Sequence, residues 1–398
     1  MNVKRRIAII GSTGSIGTQA LDVIARHGDR FTVVGLAAGR RSTMLAEQVR
    51  RFVVPLCSIA EDGDLSALAE IGSTRVLQGA VGLRAVALES GADLLLAAAD
   101  GMASFEAVFA AISRGIDVAV ANKELIVAAG ELLSAEAARS GARIIPVDSE
   151  HSALFQCLQG EPPDRVAACI LTASGGPFRT LPLEDLAAVS LHDALRHPTW
   201  SMGVKNSVDS ATMMNKGLEV IETSRLFGIP PSRIEVVIHP TSVVHGFVLF
   251  TDGNVKAQLS QPDMRIPIGY ALAYPDRLAD EMSDPLAVLG LARGLERVEY
   301  GFERVDPRRF PALSLAYQAL EAGGTAPAVL SAANEIAVRA FERGEIGFLA
   351  IERVVAETLE RLPHRELSLD SLVVADREAR STARECCRRK EQDAATPH

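Results

Sequence analysis

Short apolar runs alternate with amphipathic stretches through the first part of the chain. Residues 5–10 (RRIAII) and Phe31–Ala38 read as strands, and further apolar runs lie near 53–59, 74–77, 92–99, 116–121 and 142–147, with helix-like segments between them. Runs this apolar suit strands buried on both faces, and their alternation with helices predicts a parallel, doubly wound sheet. Ligands of such sheets bind outside the carboxyl ends of the strands, so the residues at those ends carry the functional interest.

Beyond residue 150 the pattern changes. Arg165–Ala173 reads as a strand, and strands follow at 234–239, 241–250 and 255–261, with Asp252-Gly253 as a hairpin signal. Their order suggests an α+β module. From 276 to 301 the pattern loosens around Pro285 and several glycines, as in a linker. Segments 310–322, 325–342, 348–361 and 376–389 then carry helical periodicity, which predicts a small C-terminal bundle. In that bundle Asn334 and Glu335 interrupt an otherwise apolar helix.

The stretch His197–Glu219 (HPTWSMGVKNSVDSATMMNKGLE) combines two characters. Its first part suits a mobile flap, and its second reads as one helix with Asp209 or Ser210 as N-cap. On that helix Thr212, Asn215, Lys216, Glu219 and Glu222 share a stripe, while Met213, Met214, Leu218, Val220 and Ile221 cover most of the remaining circumference. The stripe is either a solvated face or the wall of a polar site.

Composition narrows the class. With 398 residues, 48% hydrophobic and 23% charged, the chain is a globular protein of two or three domains. Lys plus Arg (41) less Asp plus Glu (50) leaves −9, and no basic block is interleaved with aromatics, so no nucleic-acid partner is expected. Cysteines 57, 157, 169, 386 and 387 follow neither metal-ligand spacing nor a disulfide framework, which fits a reducing compartment. The apolar run in MNVKRRIAII is too short for a signal-peptide core, and no stretch reaches the length of a membrane span. A cytoplasmic protein without membrane association is expected.

Chemistry gathers at the strand ends. Gly11-Ser-Thr-Gly14-Ser-Ile-Gly17 lies between a strand and a helix, where the backbone can approach a pyrophosphate and the helix N-terminus favours its charge. The first 149 residues therefore read as a Rossmann-like dinucleotide domain. After Phe31–Ala38 comes Gly39-Arg40-Arg41-Ser42; two guanidinium groups suit the 2′-phosphate of NADPH, although a pair of solvated arginines would look the same. Asn122-Lys123-Glu124 puts an amine at the cofactor edge. Asp148 and Glu150, in extended backbone, project to one side and call for a cation or a proton between them; a helix N-cap before His151 is the alternative. With Glu219 they make an all-oxygen set suited to Mg2+ or Mn2+. Ser174-Gly175-Gly176-Pro177 is either a phosphate-binding turn or a plain loop. His239 and His245 lie on or beside strands, where packed histidines are commoner than catalytic ones.

Taken together, GSTGSIG at 11–17, NKE at 122–124, PVDSEH at 146–151, SGGPF at 174–178 and HPTWSMG through MMNKGLE at 197–219 resemble the 1-deoxy-D-xylulose 5-phosphate reductoisomerase family, with a weaker likeness continuing through AANE at 332–335. The resemblance implies NADPH- and metal-dependent conversion of 1-deoxy-D-xylulose 5-phosphate, a phosphorylated sugar, to 2-C-methyl-D-erythritol 4-phosphate, using Mg2+, Mn2+ or Co2+, in a homodimer. It implies an N-terminal cofactor domain (1–149), a catalytic domain (150–275), a linker (276–301) and a C-terminal helical domain (302–398).

By that resemblance Asp148, Glu150 and Glu219 match metal ligands. Ser174, Ser210, Asn215 and Lys216 match phosphate and hydroxyl contacts, Lys123 and Ser149 lie near the reacting carbons, and His197 lies over the substrate. Trp200 and Met202 match a closing flap, and His245 a further active-site histidine. Lys123, Glu150, His197, Glu219 and His245 form the implied catalytic set; Gly11, Ser12, Thr13, Gly14, Ser15, Ile16, Gly39, Arg40, Arg41, Asn122, Glu124 and Gly203 are the implied cofactor contacts. The chain departs from the family pattern at Ala98-Ala99-Asp100-Gly101, at Leu125 and at Asn206. An NADPH oxidoreductase acting on another phosphorylated substrate would need no converging carboxylates, and a non-catalytic NADPH-binding module would need no Trp200 flap.

Overall fold

The protein is described by a computed structural model covering residues 3–69, 71–200, 202–279, 285–289, 291 and 297–395. Two compact units are present. The first comprises residues 1–125, 133–152 and 263–283; the second comprises 126–132, 153–262 and 284–398.

In the first unit, β1 (Arg5–Ile10), β2 (Phe31–Ala38), β3 (Leu56–Ile59), β4 (Arg75–Gln78), β5 (Leu94–Ala97), β6 (Asp117–Val120) and β7 (Ile144–Pro146) form one sheet in the order β4-β3-β2-β1-β5-β6-β7. Every pairing is parallel. The intervening helices are α1 (Ser15–Arg26), α2 (Ser42–Phe52), α3 (Gly79–Leu88), α4 (Phe105–Ser113) and α5 (Lys123–Ser140), and α6 (Ser149–Leu158) follows β7. The apolar runs explain this arrangement: Ile7, Ala8, Ile9 and Ile10 are at most 1% exposed, as a central strand requires. The order reverses at β1, between β2 and β5, which opens a crevice at the strand ends. β3 starts later than its apolar run, because Val53 adopts a left-handed conformation (φ 53°) and caps α2.

The second unit holds a mixed sheet. Strands β8 (Val166–Ala173), β9 (Ile234–Ile238), β10 (Val244–Phe250), β11 (Val255–Leu259) and β12 (Glu303–Arg304) run in the order β11-β10-β8-β9-β12; β8 and β9 are parallel and the other pairs antiparallel. Gly253 (φ 85°) makes the β10–β11 turn. Helices α7 (Leu191–Ala194), α8 (Val204–Ala211) and α9 (Met214–Phe227) lie between β8 and β9.

Next in the chain, α10 (Arg265–Ala273) belongs to the first unit, where Arg5 donates to the carbonyls of Leu272 (2.9 Å) and Tyr274 (3.0 Å). Helices α11 (Pro311–Ala322), α12 (Ala326–Glu342), α13 (Ala350–Arg361) and α14 (Leu369–Ala395) complete the second unit. Their residues Ala312, Ala333, Phe341 and Val355 share one apolar core with Cys169 and Leu171 of β8 and Val248 of β10. Of the expected linker at 276–301, residues 280–284, 290 and 292–296 lie outside the described residues; Pro285–Leu289 forms a 3-10 turn.

The single helix expected from Asp209 or Ser210 is in fact two. Both residues lie inside α8, whose N-cap is Gly203, and the break falls at Thr212–Met213. Met213 takes a left-handed conformation (φ 61°) and buries its side chain among Ala173, Ile238 and Phe310; the Thr212 hydroxyl accepts from the freed N–H of Met214 at 3.2 Å. Apolar burial thus offsets the backbone cost of the break. Farther along α9, a side chain at Gly217 would come within 2.7 Å of Ala316, so glycine sets the close approach of α9 to α11.

Candidate active site

At the carboxyl end of β1, Gly11 has φ 90°, and a Cβ there would lie 2.4 Å from the Ala98 carbonyl oxygen; one at Gly17 would lie 2.3 Å from the Gly11 carbonyl oxygen. Only glycine permits this tight turn into α1, whose N-cap is Gly14 and whose first residues are the exposed Ser15 and half-buried Ile16. Ser12 and Thr13 are buried, and the Ser12 hydroxyl has no hydrogen-bond partner among the described residues. Gln48 of α2 donates to the Ser12 carbonyl (2.9 Å), and Arg41 donates to that of Thr13 (2.9 Å), so both hold the loop in shape. Arg40, beside the open Gly39, is exposed and paired through Nη2 with Asp62 (2.5 Å). An exposed pair of this kind exchanges readily for a phosphate.

Between the ends of β5 and β6, Asn122 caps α5 by accepting from the N–H of Leu125 (3.1 Å) and donates to the carbonyls of Ala99 and Gly101. It positions the backbone there, and Glu124 beside it is buried. Of the departures from the family pattern, Leu125 is wholly buried, whereas Asp100 and Asn206 are exposed.

The Asp148-Ser149-Glu150 segment is not extended, as the sequence reading had it. Asp148 precedes α6, its carbonyl accepts from the N–H of Ser152 (2.8 Å), and Ser149 and Glu150 form the first helical turn. Asp148 supports this early start, because its Oδ1 accepts from the Glu150 N–H of the first turn (3.4 Å). Lys123 pairs with Asp148 Oδ2 at 2.7 Å, His151 Nδ1 lies 3.7 Å from Oδ1, and the Ser149 hydroxyl donates to Glu150 Oε2 at 2.6 Å. Burial opposes ionisation of Asp148, but the Lys123 ammonium and His151 outweigh it and hold the carboxyl well below the usual carboxylate range.

The second unit brings together Ser174, His197 and Ser210. His197 Nε2 lies 3.0 Å from each serine hydroxyl, while Nδ1 accepts from the N–H groups of Thr199 (3.2 Å) and Trp200 (2.9 Å). With Nδ1 fixed as acceptor, the neutral ring carries its proton on Nε2, and burial lowers the imidazole pKa in favour of that form. Gly175 (φ 84°) and Gly176 (φ 68°) shape the turn, and the Ser174 hydroxyl accepts from the Gly176 N–H at 3.2 Å. Three donors thus face one another, an arrangement suited to an anion. Trp200 lies 6.3 Å, ring to ring, from the buried His245; Met202 is half-buried, and Gly203 starts α8. His239 is an ordinary packed residue: Gly301 carbonyl and Thr241 hydroxyl occupy its two nitrogens, each at 3.0 Å.

On α9 the polar stripe is no solvated face. Lys216 is 3% exposed, Glu219 and Glu222 are each 1% exposed. Lys216 donates to Glu219 Oε2, and Asn215 donates to Oε1 at 2.5 Å, so the expected phosphate-binding lysine and metal-binding carboxylate neutralise one another within the helix. Supporting residues outside the expected set also emerge. Wholly buried Asp209 accepts from Lys205 (2.7 Å) and from Asn334 of α12 (2.7 Å), and Glu335 accepts from Arg380 (2.7 Å). Their spacing in the chain gives no local signal; an amide on an apolar helix was the one hint.

Known proteins resemble the chain over nearly its whole length. Models of 1-deoxy-D-xylulose 5-phosphate reductoisomerase match residues 7–130, and models of its C-terminal domains match 144–227 and 259–382. The reductoisomerase of Symbiobacterium thermophilum is 49% identical over 392 residues, covering 96% of this chain and 99% of that one; the Anaeromyxobacter sp. protein is 52% identical, covering 89% and 90%. The Zymomonas mobilis reductoisomerase in complex with NADPH superposes with a TM-score of 0.87 at 42% identity, covering 97% of this chain and 99% of that chain. A reductoisomerase solved with NADPH, fosmidomycin and magnesium gives 0.88 at 34% identity, covering 96% and 98%. The chain belongs to the 1-deoxy-D-xylulose 5-phosphate reductoisomerase family.

Proposed function

We propose that the protein catalyses the NADPH- and divalent-metal-dependent rearrangement and reduction of 1-deoxy-D-xylulose 5-phosphate to 2-C-methyl-D-erythritol 4-phosphate, a step toward isoprenoid precursors. The observation that carries this reading is the Ser174–His197–Ser210 donor cluster, a phosphate-shaped site in a chain whose family acts on a sugar phosphate. The orphaned, buried Ser12 hydroxyl fits the pyrophosphate of NADPH, in a tight turn that Gly11 and Gly17 permit and that Thr13, Gly14, Ser15 and Ile16 complete. Gly39, Arg40 and Arg41 lie at the end of β2, where its 2′-phosphate would be recognised, and Asn122, Glu124 and Gly203 complete the proposed cofactor contacts.

Asp148, Glu150 and Glu219 offer only hard oxygen donors, which fits Mg2+ or Mn2+, with Co2+ as a further option. When bound, the ion would supply Lewis-acid stabilisation of negative charge on substrate oxygens, and NADPH would supply hydride. The chain's own residues do the rest. Lys123 and Ser149 hold the reacting end; Ser174, Ser210, Asn215, Lys216 and the Nε2–H of His197 hold phosphate and hydroxyl oxygens; Trp200 and Met202 cover the substrate and exclude water, with His245 behind them. Water exclusion matters because the rearrangement yields an aldehyde that must be reduced before it escapes.

A cytoplasmic homodimer is the proposed working form. All five cysteines are buried and free, which suits a reducing compartment, and no described helix is long and apolar enough to cross a membrane. The test is NADPH oxidation with 1-deoxy-D-xylulose 5-phosphate, with and without chelator. Activity lost with chelator and restored by Mn2+ is expected. Undiminished oxidation after complete metal removal refutes the metal set, and no oxidation even with Mn2+ refutes the substrate.

A further inference from the structure

Helix α8 carries Ser210 but is poorly held by its own sequence. It has eight residues, its N-cap Gly203 contributes no side-chain bond, and its C-terminus runs straight into the break at Thr212–Met213. A helix this short is marginal without tertiary contacts. Val208 and Ala211 pack into the apolar core, and beside them lies a polar contact. Asp209, 0% exposed, accepts at Oδ1 from the side-chain amide of Asn334 on α12 (2.7 Å) and at Oδ2 from Lys205 one turn back (2.7 Å). Asn334 is itself 0% exposed, on a helix whose other buried positions are apolar except for Ser331 and Glu335.

Burying a carboxylate and an amide costs more than packing apolar side chains of the same volume, so this pair is poorly explained as a source of stability. What it does provide is a directional restraint. Apolar packing lets a short helix slide or rotate by a fraction of an ångström; a charge-assisted hydrogen bond of 2.7 Å does not. The residue restrained is the immediate neighbour of Ser210, whose hydroxyl must stay within 3.0 Å of His197 Nε2.

We propose that Asn334 is a positioning residue for the phosphate cluster: through Asp209 it fixes α8 so that Ser210 and His197 present their donors to the substrate phosphate together. The C-terminal helices thereby take part in substrate affinity. This rests on reading Ser174, His197 and Ser210 as the phosphate site.

The test uses the full chain and inorganic phosphate as probe. Binding is followed by the fluorescence of Trp200, the sole tryptophan, whose backbone N–H donates to His197 Nδ1, and by competition against substrate. Asn334→Leu keeps the side-chain volume and removes the donor. The expected result is that the phosphate inhibition constant and the substrate KM rise together by about ten-fold or more, the loss typical of one hydrogen bond to a charged group, while kcat and the NADPH Kd change little. Lys205→Met, at a partly exposed position, removes the other partner of Asp209; the same split is expected to a smaller degree, and it decides the matter if Asn334→Leu does not fold. A merely structural role would lower Tm and leave the phosphate constant unmoved. Folded variants that bind phosphate as the wild type does overturn the proposal. A wild-type protein indifferent to phosphate overturns the reading of the cluster, and this proposal with it.

Discussion

Gly176 lies directly against the carbonyl of Ser210: a Cβ built on the glycine would come within 2.6 Å of that oxygen. The turn after β8 and the end of α8 therefore approach as closely as backbone allows, and that approach keeps Ser174 and Ser210 on either side of one imidazole. Gly176→Ala should push α8 away and also strain a residue at φ 68°, costing about 1–2 kcal/mol of stability. Substrate kcat/KM should fall by roughly 100-fold, given how steeply positioning errors of this size act, with the NADPH Kd unaltered. Steady-state kinetics beside cofactor titration checks both.

His197 should remain neutral, with its proton on Nε2, throughout the neutral range. Its folded-state pKa is lowered by burial, so the stability it contributes is present above the ordinary imidazole value of about 6.5 and is lost as pH falls toward the folded value. Protonating Nδ1 would also break the bonds from Thr199 and Trp200. Nitrogen NMR of histidine-labelled protein should show one ring with unprotonated Nδ1 and a midpoint below that of free imidazole; a midpoint above it contradicts the assigned hydrogen bonds.

Glu219→Gln should cost kcat much more than NADPH affinity. The substitution keeps the volume and one of the two acceptor oxygens, enough for Lys216 or Asn215 but not for both, and removes the charge proposed to bind the metal. Unchanged turnover at saturating Mn2+ would count decisively against the three-carboxylate set.

Away from the site, Glu352 of α13 is pushed up to about 7 by burial, against the opposing effect of a hydrogen bond from the backbone of Ala312 at the start of α11. Its folded form holds a proton more tightly than the unfolded chain does, so stability from this group falls as pH rises from about 4.5 to about 7. Glu352→Gln keeps the acceptor and removes the titration. Its Tm should exceed that of the wild type by a few degrees at pH 8 and match it near pH 4.5. Melting curves across that range check the sign.

Much of this was legible along the chain, for definite reasons. Strands buried on both faces must be apolar runs, so the parallel sheet shows directly; the glycines at 11 and 17 announce a close backbone approach that the Gly11 carbonyl in fact makes. What stayed hidden depends on partners distant in sequence. Nothing at Thr212–Met213 resembles a helix breaker, because the break is enforced by a pocket built from Ala173, Ile238 and Phe310. Arg40 looked free to meet a phosphate until Asp62 was placed beside it. Asn334 made no sense on its apolar helix until Asp209 arrived from 125 residues away.

The return of residues 263–283 to the first unit bears on how the chain is made. During synthesis the seven-stranded sheet emerges early, yet α10, which packs along α1 and supplies the two carbonyls that receive Arg5, is still inside the ribosome or unmade. Until then the part of α1 that α10 covers stays open, and the Arg5 guanidinium has Asp117 of β6 (3.1 Å) as a partner but not the two carbonyls. The nucleotide unit is thus completed only after the central sheet of the second unit has been translated, and a gene fragment ending near residue 152 should yield an aggregation-prone product that adding back the 263–283 peptide partly rescues.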